Sequence, residues 1–156
     1  MSNEAQDHEA RMEVSEITEN IYVGESMCCT GHKEYHEQRL SELGMFADID
    51  LRKEYDEAPH KLEVHMKLPV VDTFPPSPMQ TKAGVDLIDT VVKDGKKIYI
   101  HCQVGHGRSP TLAAAYFILK KGMSAMEAVD FVKNRRSEAH PTDRQLEFLD
   151  LLEKSR

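Results

Sequence analysis

Nine consecutive residues, "HCQVGHGRS" (101–109), put a thiol, two glycines, a guanidinium and a hydroxyl within reach of one point in space. Gly105 and Gly107 permit a tight turn in which successive backbone N–H groups converge into an anion-binding nest. Arg108 adds a planar fork able to grip two oxygens of a phosphate or sulfate at once. With a strand before it and a helix after it, the loop also gains the unpaired N–H groups and partial positive charge of the helix N-terminus. Gln103, Val104, Gly105, His106, Gly107 and Arg108 are therefore the expected phosphate-binding residues. The same dipoles favour a thiolate on Cys102, which makes it a nucleophile. Attack on phosphorus would give a covalent thiophosphate whose equatorial oxygens the cradle stabilises. Ser109 can donate its hydroxyl to the thiolate and help it leave.

Such a loop works only if both flanks are rigid. "KIYIH" (97–101) reads as a strand, and residues 109–121 as a helix so apolar on all sides that it should be buried at the centre, with Gly122 as its stop. Strands are also expected over 17–24, over 45–51 with one face buried, and over 62–68, where Leu62, Val64, Met66 and Leu68 alternate at period two. Helices are expected over 33–43 and around Val85, Ile88 and Val92, the latter closed by Asp94-Gly95 and preceded by the proline-rich loop 72–80. Two amphipathic helices finish the chain, each opened by a capping-box pattern, Ser124 with Glu127 and Thr142 with Gln145. The alternation implies an α/β fold: a central, mainly parallel, twisted sheet of about four to five strands flanked by helices on both sides.

The chain has 156 residues, 40% of them hydrophobic, which suits one domain over 15–156 behind a flexible tail at 1–14. No stretch is long and apolar enough to span a bilayer, and no secretory signal is visible. Three cysteines, Cys28, Cys29 and Cys102, make no disulfide framework, so a reducing, cytoplasmic setting is expected with Cys102 as a free thiol; Cys28 or Cys29 could pair with it only under oxidation. The net charge of −7 argues against nucleic acid and anionic membranes as partners. A monomeric state is the default expectation.

His101-Cys102, five residues, Arg108 and Ser109 resemble the signature of cysteine-dependent protein tyrosine and dual-specificity phosphatases. "IYVGE" near the start, "LPVVDTFPPSP" and the helical tail are similar to a small atypical member of that family, over about residues 15–155. The resemblance implies a general acid on an upstream loop, and Asp72, thirty residues before the cysteine, holds the matching position. An alkoxide or phenoxide leaves poorly without a proton, so the chemistry asks for such a group. Asp72 is preferred to Asp48, Asp50, Asp56, Asp86 and Asp89, which fall on other elements. His101 is expected to support the loop by hydrogen bonding, and His106 to face solvent at a position where lipid-directed relatives often carry lysine. Gln145 is read as a cap rather than a water-positioning residue, and Arg135 and Arg136 as partners of a helix dipole. The resemblance further implies a phosphorylated protein or peptide as substrate and no cofactor; phosphoinositide or RNA 5′-phosphate hydrolysis, sulfur transfer or arsenate reduction, and non-catalytic phosphate binding are the alternative functions.

Overall fold

The structure, a computed structural model, describes residues 13–26, 33–55 and 62–156, with the backbone alone at 33–36. Cys28, Cys29 and Asp56 lie outside the described residues, as does most of the expected tail.

Five strands form one sheet in the order β1-β2-β5-β3-β4. These are β1 (Val14–Glu16), β2 (Ile21–Glu25), β3 (Met45–Arg52), β4 (Val64–Val70) and β5 (Lys97–Cys102). All neighbours run parallel except β1, which pairs antiparallel with β2. The expected strand at 17–24 is confined to β2 at 21–25, and β1, at 14–16, is an additional strand that takes in Val14 from the expected tail. The break between them is a turn in which the Thr18 hydroxyl accepts the N–H groups of Asn20 and Ile21, a local bond that competes with strand pairing.

Helices follow as α1 (Lys33–Glu42), α2 (Pro78–Lys93), α3 (Arg108–Lys121), α4 (Ala125–Arg135) and α5 (Asp143–Ser155). One sheet face packs Ile49, Leu51, Ile98 and Ile100 against residues of α2, α3, α4 and α5 such as Ile88, Leu112, Val132 and Leu149. The other face packs Tyr22, Met45 and Tyr99 against Leu40 of α1. Burial on both faces makes β3 more enclosed than expected: its Asp48, Asp50 and Arg52 are as buried as its Ile49 and Leu51. Eleven of the fourteen residues of α3 are buried, as its all-round apolar sequence implies.

Three helices start on hydroxyl caps. Ser77 and Thr142 make full capping boxes with Gln80 and Gln145. Ser124 accepts the Glu127 N–H, but the expected return bond from the Glu127 carboxylate is not formed. α3 differs from all three, because its N-cap is Gly107 and no side chain closes its first turn. Its leading N–H groups are left for something outside the helix.

Candidate active site

β5 ends at Cys102, and the chain turns through Gln103–Gly107 into α3 at the carboxyl edge of the sheet. Gly105 is required at its position twice over: its φ is +71°, and a Cβ there would lie 2.7 Å from both the Gly24 carbonyl oxygen and Nη2 of Arg136. The turn returns the chain so that the buried Cys102 Sγ lies 3.2 Å from the Ser109 hydroxyl. Cys102 and Ser109 are brought together as the spacing predicts.

Arg108 is 1% exposed, so each of its N–H groups needs a partner. Nη1 donates to the Val70 carbonyl at 2.9 Å and to Glu54 at 2.9 Å, and Nη2 donates to the other Glu54 oxygen at 2.7 Å. This bidentate clamp holds the Glu54 carboxyl below the usual carboxylate range. Nε is buried and has no hydrogen-bond partner. A buried guanidinium N–H without a hydrogen-bond acceptor and the uncapped first turn of α3 are donors that an oxyanion could satisfy.

Asp72 sits on the turn after β4, 75% exposed, with its Oδ1 3.6 Å from Arg108 Nε. The turn is held from two sides. Asp72 itself accepts the Thr73 N–H at 2.9 Å, and Thr73 has a φ of +73° that non-glycine residues rarely adopt. The start of α5 supplies the other hold: the Thr142 hydroxyl donates to the Thr73 carbonyl at 2.7 Å, and Gln145 Nε2 donates to the Phe74 carbonyl at 3.0 Å. Gln145 is therefore more than a cap. Fully buried, it also packs against Gly107, where an added Cβ would lie 3.0 Å from its Oε1, and so stands between the Asp72 turn and the phosphate loop. The other aspartates are elsewhere: Asp86 and Asp89 pair with Lys82, Lys93 and Lys120 on the helices, and Asp48 and Asp50 lie beneath the sheet's α1 face.

Behind the loop, the His101 ring meets the Ser26 hydroxyl at 2.7 Å, and the Ser26 N–H donates to the Gln103 carbonyl at 3.4 Å. Hydrogen bonding thus supports the loop from His101 as expected. His106 is exposed. Arg136 corrects the sequence reading. It is not a surface dipole partner but a buried brace, donating from Nε to the Gly105 carbonyl at 2.8 Å, from Nη2 to the Val104 carbonyl at 3.1 Å and from Nη1 to Ser15 at 3.0 Å. Arg135 stays outside, its guanidinium over the Phe131 ring. Arg136→Ala should lower the unfolding free energy in urea by about 2–4 kcal/mol, because two loop carbonyls lose their charged donor at once. Turnover should fall with it by about tenfold as the loop loses its brace.

Glu54 escaped the sequence reading. Its one signal was position, two residues past the end of β3, at the edge where ligands meet parallel sheets.

A thiol, a guanidinium and uncapped helix amides converging at the carboxyl edge of a parallel sheet define an α/β domain with a cysteine-headed oxyanion loop. The family model described as "Dual specificity phosphatase, catalytic domain" matches residues 27–155, and the chain belongs to that family. Dual specificity protein phosphatase 1-A of Xenopus laevis is 31% identical over 133 residues, covering 81% of this chain and 33% of that protein. Phosphatidylglycerophosphate phosphatase PTPMT2 of Arabidopsis thaliana is 30% identical over 118 residues, covering 69% of this chain and 51% of that protein. The crystal structure of PTPMT1 superposes with a TM-score of 0.80 at 24% identity, over 92% of this chain and 95% of that one. The chain thus spans about half or less of the length of these two sequence relatives.

Proposed function

We propose that the protein is a cysteine-dependent phosphatase of phosphomonoesters, acting on phosphotyrosine and also on phosphoserine or phosphothreonine in proteins. The observation that carries the reaction is the buried Arg108 Nε, which makes no hydrogen bond and lies 3.6 Å from Asp72 Oδ1, at the uncapped start of the helix that follows Cys102. An equatorial phosphoryl oxygen would accept from it and from the loop amides Gln103–Gly107. The Cys102 Sγ forms a bond to phosphorus as the ester oxygen departs, and Asp72 protonates that oxygen. In the second half, water attacks phosphorus, the S–P bond breaks, and Ser109 donates its hydroxyl hydrogen bond to the released thiolate. Asp72 then takes the water's proton.

A protein substrate is supported by the rim. The loop side chains at 103, 104 and 106 include no lysine or arginine, and Val104 and Phe74, on opposite arms of the site, expose 47% and 46% of their surface for an aryl or peptide contact. A lipid phosphate is the second reading, favoured by the likeness to the phosphatidylglycerophosphate phosphatase PTPMT2. A panel of phosphotyrosyl and phosphothreonyl peptides, phosphoinositides and phosphatidylglycerophosphate in vesicles, assayed without added metal, decides between them. Preference for the lipids by kcat/KM would overturn the protein assignment.

The acid is tested by leaving group. Asp72→Asn should slow hydrolysis of an alkyl phosphate by about 10²-fold, but scarcely change that of an aryl phosphate whose phenol is acidic enough to leave unprotonated. Equal slowing of both would remove Asp72 from the role.

A further inference from the structure

The Asp72 turn has little of its own to hold it. Val71, Asp72, Thr73 and Phe74 are all exposed, and the turn is closed by a backbone bond from the Phe74 N–H to the Val71 carbonyl at 3.0 Å. Segments with so few buried contacts open readily. Thr73 is the third residue of that turn, and its φ of +73° is a value that a type II turn normally leaves to glycine. Such a conformation persists in a threonine only where the surroundings impose it. Relief would come by flipping the Asp72–Thr73 peptide, which carries the N–H that the Asp72 carboxylate accepts at 2.9 Å. The flip would move the carboxyl with it.

α5 supplies what the turn lacks. Its first turn is firmly placed, because Gln145 and Leu149 are fully buried and Thr142 and Gln145 close a complete capping box. Both capping side chains make a second bond, and both of these reach the Asp72 turn. The Thr142 hydroxyl accepts the Gln145 N–H on one side and donates to the Thr73 carbonyl at 2.7 Å on the other. The Gln145 amide accepts the Thr142 N–H through Oε1 at 2.8 Å and donates through Nε2 to the Phe74 carbonyl at 3.0 Å. A hydroxyl and an amide can serve in this way because each carries a donor as well as an acceptor. The two peptides that follow Thr73 are thus pinned to α5, and the unfavourable φ is fixed from outside.

We propose that Thr142 and Gln145 are positioning residues for Asp72. Their bonds to the Thr73 and Phe74 carbonyls keep the turn in the form that holds the Asp72 carboxyl 3.6 Å from Arg108 Nε, within reach of the departing ester oxygen. Without them the turn relaxes and the carboxyl spends less of its time there, while Cys102, Arg108 and the loop amides stay in place. The loss falls on proton delivery and not on phosphate binding. The proposal rests on Asp72 being the acid.

Thr142→Asp separates the cap from the latch. Aspartate is at least as good an N-cap as threonine and keeps an acceptor for the Gln145 N–H, but an ionised carboxylate has no proton to give to the Thr73 carbonyl. The ratio of kcat/KM for an alkyl phosphate to that for an aryl phosphate with an acidic phenol should therefore fall about tenfold. The added charge acts on both phosphates alike and cancels in the ratio. Thr142→Ser restores donor and acceptor together and should keep the unsubstituted ratio. Gln145→Met, which removes the donor to Phe74 in a side chain of similar volume, should lower the ratio in the same direction and carries the test if melting curves show Thr142→Asp unfolded. The deciding measurement is the double substitution: once Asp72→Asn has removed the acid, Thr142→Asp should bring no further loss on the alkyl ester. An additive loss in that background, equal slowing of both esters, or no slowing of either would mean that α5 supports the fold without aiming the acid, and overturns the proposal. Equal slowing of both esters by Asp72→Asn alone would bring down the acid assignment and this inference with it. A selective Asp72→Asn beside an unselective Thr142→Asp would leave the acid standing and overturn only the positioning role of α5.

Discussion

Cys102→Ser is expected to abolish turnover of phosphotyrosyl peptides and aryl phosphates, by on the order of 10⁴-fold or more. The substitution changes one atom. It leaves Arg108, the loop amides and the uncapped start of α3 in place, so substrate binding should survive and the variant should trap its substrate. What it removes is a group that can be an anion at neutral pH. A serine hydroxyl at the same point finds no base placed for it among the described residues: His101 turns both ring nitrogens away, toward Ser26 and Asp48, and Asp72 is the proposed acid for the leaving group. Rapid quench of the unsubstituted protein should correspondingly trap phosphate on Cys102 by mass spectrometry. Turnover surviving in Cys102→Ser would end the mechanism through a cysteinyl-phosphate, because Cys102 is the one thiol among the described residues.

The phosphate loop was legible in the sequence because its chemistry is contiguous. Cys102, two glycines, Arg108 and Ser109 fall within eight residues, and a strand and a helix of clear pattern flank them. Groups that work across the fold were not legible. Arg136 reads locally as a base at a helix end, yet its partners are carbonyls 31 and 32 residues earlier and a serine 121 residues earlier. Glu54 becomes a clamp only once β3 and β5 are neighbours, which nothing in "DLRKE" announces. Strand β4 shows the limit of periodicity most sharply. Val64, Met66 and Leu68 mark its core face as alternation predicts, whereas Leu62 lies before the strand and packs with Tyr22 and Tyr99 on the other side, and His65 and Lys67 on the polar face do not simply meet water. They neutralise two aspartates that a hydropathy pattern would have left facing solvent. β1 was missed for a different reason, since three residues are too few to show a period.

Arg108→Lys is expected to lower kcat/KM for every phosphomonoester by about 10³-fold, with most of the loss in kcat. Charge is conserved, so an ordinary electrostatic attraction between the loop and phosphate would survive the change with modest loss in affinity. Geometry is not conserved. Arg108 makes its Glu54 clamp with Nη1 and Nη2, reaches the Val70 carbonyl with Nη1, and leaves Nε without a hydrogen bond, 3.6 Å from Asp72 Oδ1. A lysine can place its one nitrogen at the clamp or at the phosphate, but not at both. Drawn to Glu54, it leaves the equatorial oxygens to the backbone alone; drawn to the phosphate, it leaves a carboxylate facing the developing charge. Glu54→Gln separates these costs. It retains an acceptor for Arg108 while removing the negative charge, so it should cost far less than Arg108→Lys if the clamp acts by aiming the guanidinium. A pre-steady-state comparison with vanadate, a mimic of the five-coordinate phosphorus, supplies the second reading. Arg108→Lys should weaken vanadate far more than inorganic phosphate, because a donor aimed at the transition state is lost more fully there than in the ground state. Equal weakening of the two would mean that Arg108 binds phosphate without stabilising its transfer, and the arginine would then belong to affinity rather than to catalysis.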